Sequence, residues 1–267
     1  MSKTLPKDLT SYDLIKTFAI LSMICDHVGY YLHPGDMTYR IIGRLCVPIW
    51  FFLIGYAKSR DLGWKIWGGL AVMQLANMFA GLSFFPMDIL ATMIFLRLVI
   101  DRVMKGALTS YSTLWAIVTM IVLLIEPSWA VFEYGTLSLP LAMFGYLVRN
   151  KENLKEPQKI ILQFFAFTYI LFVGTQTLVF QLHDLQVMAL AVGSFIVMST
   201  LMIFQAVSFP RLTEILPRPV VLFLQFTGRH TMLIYVVHLL IFKGTAPFLH
   251  PERFHLFKII LYSATGT

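Results

Sequence analysis

The chain carries little charge for its length. Of its 267 residues, 13% are Asp, Glu, Lys or Arg, whereas 58% are hydrophobic. Soluble domains are typically about one-quarter charged, so this composition argues against a soluble enzyme and indicates a polytopic membrane protein. No polar stretch between the apolar runs is long enough to bury a core of its own. We therefore expect one transmembrane domain, residues 1–267, embedded in a lipid bilayer.

Cysteine and the common catalytic motifs are also scarce. Cys25 and Cys46 both lie within apolar stretches, which predicts neither a disulfide framework nor a zinc site. The chain has no P-loop, dinucleotide fingerprint, HExxH pair or GxSxG elbow. We therefore predict no metal centre and no nucleotide hydrolysis. The net charge is +7, and the basic residues lie in short loops between apolar runs. This position indicates that they set the membrane topology rather than bind nucleic acid.

Apolar runs of spanning length predict an all-α protein with about nine to ten transmembrane helices. Residues 211–227 contain two prolines and a short apolar run, so we expect a re-entrant or interfacial segment there. Residues 254–262 form a short amphipathic run, which predicts an interfacial helix or a short tenth span. The nine predicted spans lie near residues 12–32, 40–57, 64–83, 88–104, 111–126, 129–148, 159–181, 185–207 and 228–243.

Lysine and arginine alternate between the predicted loops. Loops around residues 58–65 and 149–159 are basic, whereas those at 83–88, 126–129 and 181–186 are nearly free of Lys and Arg. The positive-inside rule then places the N-terminus in the cytoplasm. Arg40 and Arg44 lie on the basic-poor side and break this pattern, which calls for a functional explanation.

The first apolar stretch contains Lys16 and the dipeptide Asp26-His27. Ionisable side chains at bilayer depth are costly and usually functional. Eleven residues separate Lys16 from His27, which at about 100° per residue returns to nearly the same helix face. We therefore expect both to face one cavity at different depths. The alternative for Lys16 is that it extends its ammonium group to the interface.

His27 and Asp26 each have two interpretations. An imidazole can take a proton from a nucleophile and return it to a leaving group, as acyl transfer requires. The alternative for His27 is an interhelical hydrogen bond. Asp26 points about 100° away from His27 around the helix, so a pairing with Arg44 is favoured over a contact that orients His27.

Two further groups of polar residues are candidate site residues. Arg40 and Arg44 lie four residues apart on one helix face and suit a phosphate or carboxylate, or a role at a helix end. Pro48 is expected to kink that helix. Near the C-terminus, Tyr235 and His238 are neighbours on a stripe that also includes Gly228 and Thr231, with Arg229 and His230 at its start.

These residues resemble known motifs. Lys16 and His27, with ten residues between them, and the segment 228–238 resemble the first and last helices of the acyltransferase-three family of membrane acyltransferases. The pattern D-x-x-K followed by S-M-x-x-D-H-x-G at 13–29 is more similar to the TraX family of pilin acetylation proteins. The R-x-x-G-R-x-x-x-P-x-x-x-F run at 40–52 extends that resemblance.

The resemblance implies a bacterial inner-membrane acetyltransferase. It implies transfer of an acetyl group from cytoplasmic acetyl-coenzyme A to a pilin amine or a glycan hydroxyl, with His27 as general base. On this interpretation Asp26 and Lys16 belong to the catalytic group with His27, and Asp26 holds Arg44 or the helix pair. The residues expected to bind substrate or cofactor are Arg40, Arg44, Tyr235, His238 and Arg229. Lys16 stands where the wider family has arginine. Two other functions remain open, namely a proton-coupled transporter and a non-catalytic assembly protein for pili or the envelope.

Overall fold

The computed structural model describes residues 6–258 and 260–262. Helices dominate this part of the chain, with two short 3₁₀ turns at Gly135–Leu137 and Lys151–Asn153. Two three-residue strands, β1 (Ser83–Phe85) and β2 (Ile260–Tyr262), pair in parallel. The helices are α1 (Ser11–Tyr31), α2 (Met37–Arg44), α3 (Cys46–Tyr56), α4 (Trp64–Ala80), α5 (Ile89–Ala107), α6 (Tyr111–Leu123), α7 (Ile125–Trp129), α8 (Ser138–Arg149), α9 (Pro157–Phe180), α10 (Asp184–Met202), α11 (Pro210–Ile215), α12 (Arg218–Arg229) and α13 (Thr231–Leu249).

The prediction of an all-α, polytopic membrane protein is confirmed. Four helical segments in the described part of the chain are long and apolar enough to cross a membrane: Met37–Tyr56, α9, α10 and α13. Many of the large apolar side chains on α9 and α10 are exposed, as expected of a surface that faces lipid. Helix α1 has 21 residues but carries three charged side chains. The total of nine to ten spans stays a prediction.

Pro48 disrupts the second predicted span one turn before its own position. The expected helix at 40–57 is divided at Leu45 into α2 and α3. Proline has no N–H to donate to the carbonyl four residues earlier, which here is that of Arg44. The helix therefore breaks after Arg44, while Pro48 itself lies within the first turn of α3.

Two other regions differ from the sequence prediction, whereas residues 211–227 form no full span, as expected. The span expected at 129–148 is a helix only from Ser138, because α7 and an irregular segment precede it. Residues 211–227 form two short helices, α11 and α12, and α12 packs against α1. The tail at 254–262 is neither an interfacial helix nor a span within its described residues, since it forms turns and β2.

Glycines allow the helices around the site to approach closely. A Cβ on Gly43 would lie 2.1 Å from the Cβ of Asp26, so glycine is required where α2 crosses α1. Gly55 and Gly145 do the same for α3 and α8, where added Cβ atoms would lie 1.7 Å and 2.0 Å from carbonyl oxygens of the facing helix. These close approaches pack α2 against α1 and α3 against α8.

Candidate active site

Asp26 binds two arginines of α2. Its carboxylate accepts a hydrogen bond from Arg40 Nη1 at 3.0 Å and from Arg44 Nε at 3.2 Å, and Arg44 Nη2 donates a further one. Asp26 is only 5% exposed. The predicted pairing of Asp26 with Arg44 is therefore confirmed, and Arg40 joins it. The Asp26 carboxylate contacts these arginines rather than the imidazole of its neighbour His27.

Aromatic side chains hold the two arginines in place. The Arg40 guanidinium lies 5.3 Å from the ring centre of Tyr30 and 5.1 Å from that of Phe180. Arg44 Nη1 donates to the hydroxyl of Tyr134 at 2.5 Å. Tyr134 adopts φ of 66°, a left-handed conformation that costs a bulky residue about 1–2 kcal/mol. Such strain in a buried segment is common at functional sites.

His27 and His238 form a hydrogen-bonded pair. His27 Nδ1 lies 2.7 Å from His238 Nε2, and His238 Nδ1 lies 2.5 Å from the carbonyl oxygen of Ile234. A carbonyl only accepts, so His238 carries its proton on Nδ1. With both rings neutral, His238 Nε2 accepts from His27 Nδ1. His27 Nε2 is then left with a free lone pair, and within the described residues it makes no hydrogen bond.

His27 lines a cavity of about 310 Å³, which we call the histidine cavity. It lies toward the end of α1, between α1, α2, α3, α4, α13, the segments 81–89 and 133–134, and the tail residues Arg253, Phe254 and Ile260. Its wall contains most of the polar side chains described above. The ionisable residues that line it are Asp26, His27, Tyr30, Tyr31, Arg40, Arg44, Cys46, Asp88, Glu133, Tyr134, Tyr235, Lys243 and Arg253.

Lys16 lines a different cavity, of about 370 Å³, which we call the lysine cavity. The expectation that Lys16 and His27 face one cavity is therefore wrong. The two cavities share wall residues: Met23, Trp50, Ile89 and Tyr235. The two cavities therefore adjoin at these shared side chains. Lys16 and His27 thus occupy neighbouring cavities that approach each other from opposite ends of α1.

Tyr235 links the two cavities. It is only 8% exposed, and its ring centre lies 6.0 Å from that of His238, as their spacing predicts. Its hydroxyl makes no hydrogen bond within the described part of the chain, although it lies in the wall of both cavities. A donor in this position is available to a group that lies between them.

Arg229 has a structural position rather than one in a cavity wall. Its guanidinium donates to both carboxylate oxygens of Asp13 at 3.1 Å and to the carbonyl oxygen of Asp8. It lines neither the histidine cavity nor the lysine cavity. Arg229 therefore joins the end of α12 to the start of α1, and the prediction that it binds substrate or cofactor finds no support in its position.

The sequence patterns do not predict a buried polar network that lies in the wall of the histidine cavity. Lys243, which is 3% exposed, donates to the side-chain oxygen of Asn77 and lies 3.8 Å from Asp88. Asn77 in turn donates to Gln74 at 2.9 Å. Glu133 accepts the amide of Ile89 at 3.0 Å. The sequence feature that indicates such a network is the presence of lysine, asparagine and glutamate within or beside predicted spans.

The family described as TraX protein matches residues 11–245. The chain belongs to the TraX family. This TraX-family chain is also similar to an uncharacterised protein of Rickettsia prowazekii (strain Madrid E), with 32% identity over 155 residues. That match covers 55% of this chain and 60% of the relative.

No solved structure matches the chain. The four long apolar helices fit a multi-pass membrane protein. The matched residues include α1, α2 and most of α13, so the histidine pair and the cluster of Asp26 with its arginines belong to the family region.

Proposed function

We propose that this chain is a bacterial inner-membrane acetyltransferase that moves an acetyl group from acetyl-coenzyme A to an acceptor amine or hydroxyl. The observation that carries the proposal is the His27 pair with His238. His238 fixes the tautomer of His27 so that Nε2, the free nitrogen, is a proton acceptor in the wall of a cavity. Family membership favours the amine of a pilin N-terminus, and a glycan hydroxyl needs the same base.

The lysine cavity suits the acyl donor. Apolar side chains such as Met93 and Met232 line its interior, while Lys16, Lys65 and Arg97 supply positive charge. A pantetheine chain fits an apolar passage, and the phosphates of coenzyme A fit basic side chains. With the N-terminus in the cytoplasm, this cavity faces the compartment that holds acetyl-coenzyme A. This replaces the expectation that Arg40 and Arg44 bind the cofactor, because both lie by the histidine cavity.

The chemistry then takes place near the wall between the two cavities. His27 Nε2 accepts the proton of the acceptor amine or hydroxyl as the acceptor nitrogen or oxygen bonds to the thioester carbonyl carbon. The carbon–sulfur bond breaks, and His27 Nε2 returns the proton to the departing thiolate. Tyr235 is placed to donate its hydroxyl proton in a hydrogen bond to the developing oxyanion. Lys16 adds positive charge on the donor side, and Asp26 holds the arginines.

The proposal is tested with purified protein in detergent micelles, radiolabelled acetyl-coenzyme A and a pilin N-terminal peptide. His27→Ala is expected to lower the transfer rate by about 10²- to 10⁴-fold, the usual contribution of a general base. His238→Ala is expected to lower it about fivefold to tenfold, the value of one orienting hydrogen bond. His255→Ala is the matched control, because His255 is exposed and lines neither cavity.

Full activity of His27→Ala would refute the mechanism. Thermal stabilisation separates the enzyme from its rivals, since a ligand that binds only the folded state raises the unfolding temperature. Acetyl-coenzyme A is expected to stabilise the protein, and Arg97→Gln is expected to weaken that effect. Proton uptake by the protein in liposomes, without any response to acetyl-coenzyme A, would instead support a proton-coupled transporter. Retention of pilus assembly by His27→Gln would support a non-catalytic role.

A further inference from the structure

Two arginines from distant parts of the chain share one aromatic ring in the wall of the histidine cavity. The Arg40 guanidinium lies 5.3 Å from the ring centre of Tyr30, and that of Arg253 lies 4.6 Å from it. Both arginines line the histidine cavity. The two guanidinium groups therefore lie no more than about 10 Å apart around Tyr30, at the end of the cavity formed by the last turn of α1.

The carboxylates nearby do not balance these arginines. Asp26 is bound by both Arg40 and Arg44, so one carboxylate faces two guanidinium groups. Asp88 lies next to Lys243 instead, and the Glu133 carboxylate accepts the Ile89 amide. The cavity wall thus has four cationic side chains and three carboxylates. No salt bridge joins Arg253 to a carboxylate among residues 6–258 and 260–262. Positive charge in a partly buried site is costly unless an anion accompanies it.

The segment after α13 fixes Arg253 in position. Phe254 is 2% exposed and stacks on Tyr31, with ring centres 5.7 Å apart and ring planes at 28°. Arg253 Nη1 also donates to the backbone carbonyl of Tyr30 at 3.3 Å. This anchoring places a guanidinium at the cavity without the help of an ion pair. Arg253 lies beyond residues 11–245, the part that matches the TraX family.

We propose that Arg40 and Arg253 bind an oxyanion group, a phosphate or a carboxylate, in the histidine cavity. The planar guanidinium matches the spacing of oxygen atoms in both groups and binds them through paired hydrogen bonds. Tyr30 and Phe180 hold Arg40 flat, so less freedom is lost when the anion binds. On the proposed function, this anion is part of the acetyl acceptor. The binding of the anion itself does not depend on that function.

The test uses purified protein in maltoside micelles that contain no phospholipid and no acetyl-coenzyme A. Glucose 1-phosphate and glucuronate are the oxyanion probes, glucose is the neutral control, and the readout is the affinity obtained from thermal stabilisation. At least one charged probe is expected to stabilise the protein, while glucose does not. A parallel titration with phosphatidic acid added to the micelles shows whether a lipid phosphate or a soluble one is preferred.

Arg253→Gln is expected to weaken binding of the oxyanion at least tenfold, because a charge-assisted pair of hydrogen bonds is lost. Arg253→Lys keeps the charge but loses the planar fork, so intermediate binding is expected, and this variant also guards against misfolding of the first. Arg218→Gln is the matched control and should bind the probes as the unaltered protein does, because Arg218 is exposed and lines neither cavity.

Three results would overturn the proposal. The first is the absence of stabilisation by every charged probe, soluble or lipid. The second is unchanged binding in both Arg253 variants. The third is binding that is lost in Arg97→Gln but kept in Arg253→Gln, which would place the anion in the lysine cavity. Anion binding that depends on Arg253, in a protein that transfers no acetyl group, would refute the proposed function and leave this site intact.

Discussion

Replacement of Asp26 by asparagine is expected to destabilise the protein strongly. Its carboxylate, only 5% exposed, accepts hydrogen bonds from both Arg40 and Arg44. Asparagine removes the charge and turns an N–H donor toward two groups that can only donate. Breaking a buried ion pair by removing one partner costs about 3–5 kcal/mol. Here two guanidinium groups lose their counter-charge, so we expect the upper half of that range.

The same substitution at Asp101 provides a matched control. Asp101 pairs with Arg60 at 2.9 Å, but its side chain is 57% exposed. Exposed ion pairs contribute about 0.2–1 kcal/mol, so Asp101→Asn should cost no more than that. The difference between the two Asp→Asn variants isolates burial, because the chemical change and the type of partner are the same.

A double-mutant cycle separates the ion pair from other effects at Asp26. Arg44→Gln alone leaves the carboxylate paired with Arg40, so its cost should be smaller than that of Asp26→Asn. The double variant leaves only Arg40 without a partner. Its cost should fall short of the sum of the single costs by about 1–3 kcal/mol, the usual coupling of contacting groups.

Unfolding is measured by titration with dodecyl sulfate in maltoside micelles, followed by far-ultraviolet circular dichroism. The free energies are compared with that of Asp101→Asn. If Asp26→Asn costs no more than Asp101→Asn, or if the cycle is additive, Asp26 does not organise α1 and α2 as argued.

Two further outcomes test the packing and the helix ends. Gly55→Ala should lower the free energy of unfolding by about 1–3 kcal/mol, because the added Cβ would lie 1.7 Å from the Ala142 carbonyl oxygen. Gly174→Ala is the control: nothing lies near the added Cβ, so this variant should be neutral or stabilising in the same unfolding titration. The Thr38 amide donates to Asp36 at 2.8 Å and holds the pKa of that carboxyl below its ordinary value. Because the pKa of Asp36 is lower in the folded state than in the unfolded state, its carboxylate stabilises α2 at any pH above the unfolded-state pKa. This stabilisation is lost as the pH falls through the folded-state pKa. The unfolding temperature should therefore drop below about pH 4, and less so in Asp36→Asn.

The sequence alone was sufficient to predict local relations within a helix. The 100° spacing correctly separated Asp26 from His27 and directed the carboxylate toward Arg44. The spacing of three residues likewise placed Tyr235 beside His238. These predictions succeed because helix geometry fixes which side chains share a face, whatever surrounds the helix.

Contacts between distant segments could not be predicted in this way. The same face of α1 reaches two cavities, because Met23 and the side chains opposite it fill the space between Lys16 and His27. The contact of Lys243 with Asn77 joins α13 to α4, and nothing in either apolar run indicates that they pack together. The position of Arg253 at the histidine cavity likewise depends on where a nonhelical tail folds back.

Adjacent residues at bilayer depth therefore have separate roles. Asp26 accepts hydrogen bonds from two cations and so fixes α2 against α1, at a crossing where Gly43 permits close approach. That crossing also fixes the rotation of α1 about its axis. His27, one residue further along, consequently points toward α13 and meets His238. On the proposed function, a change at Asp26 should then lower the rate of acetyl transfer through the position of the His27 imidazole, in step with the loss of the His27–His238 hydrogen bond.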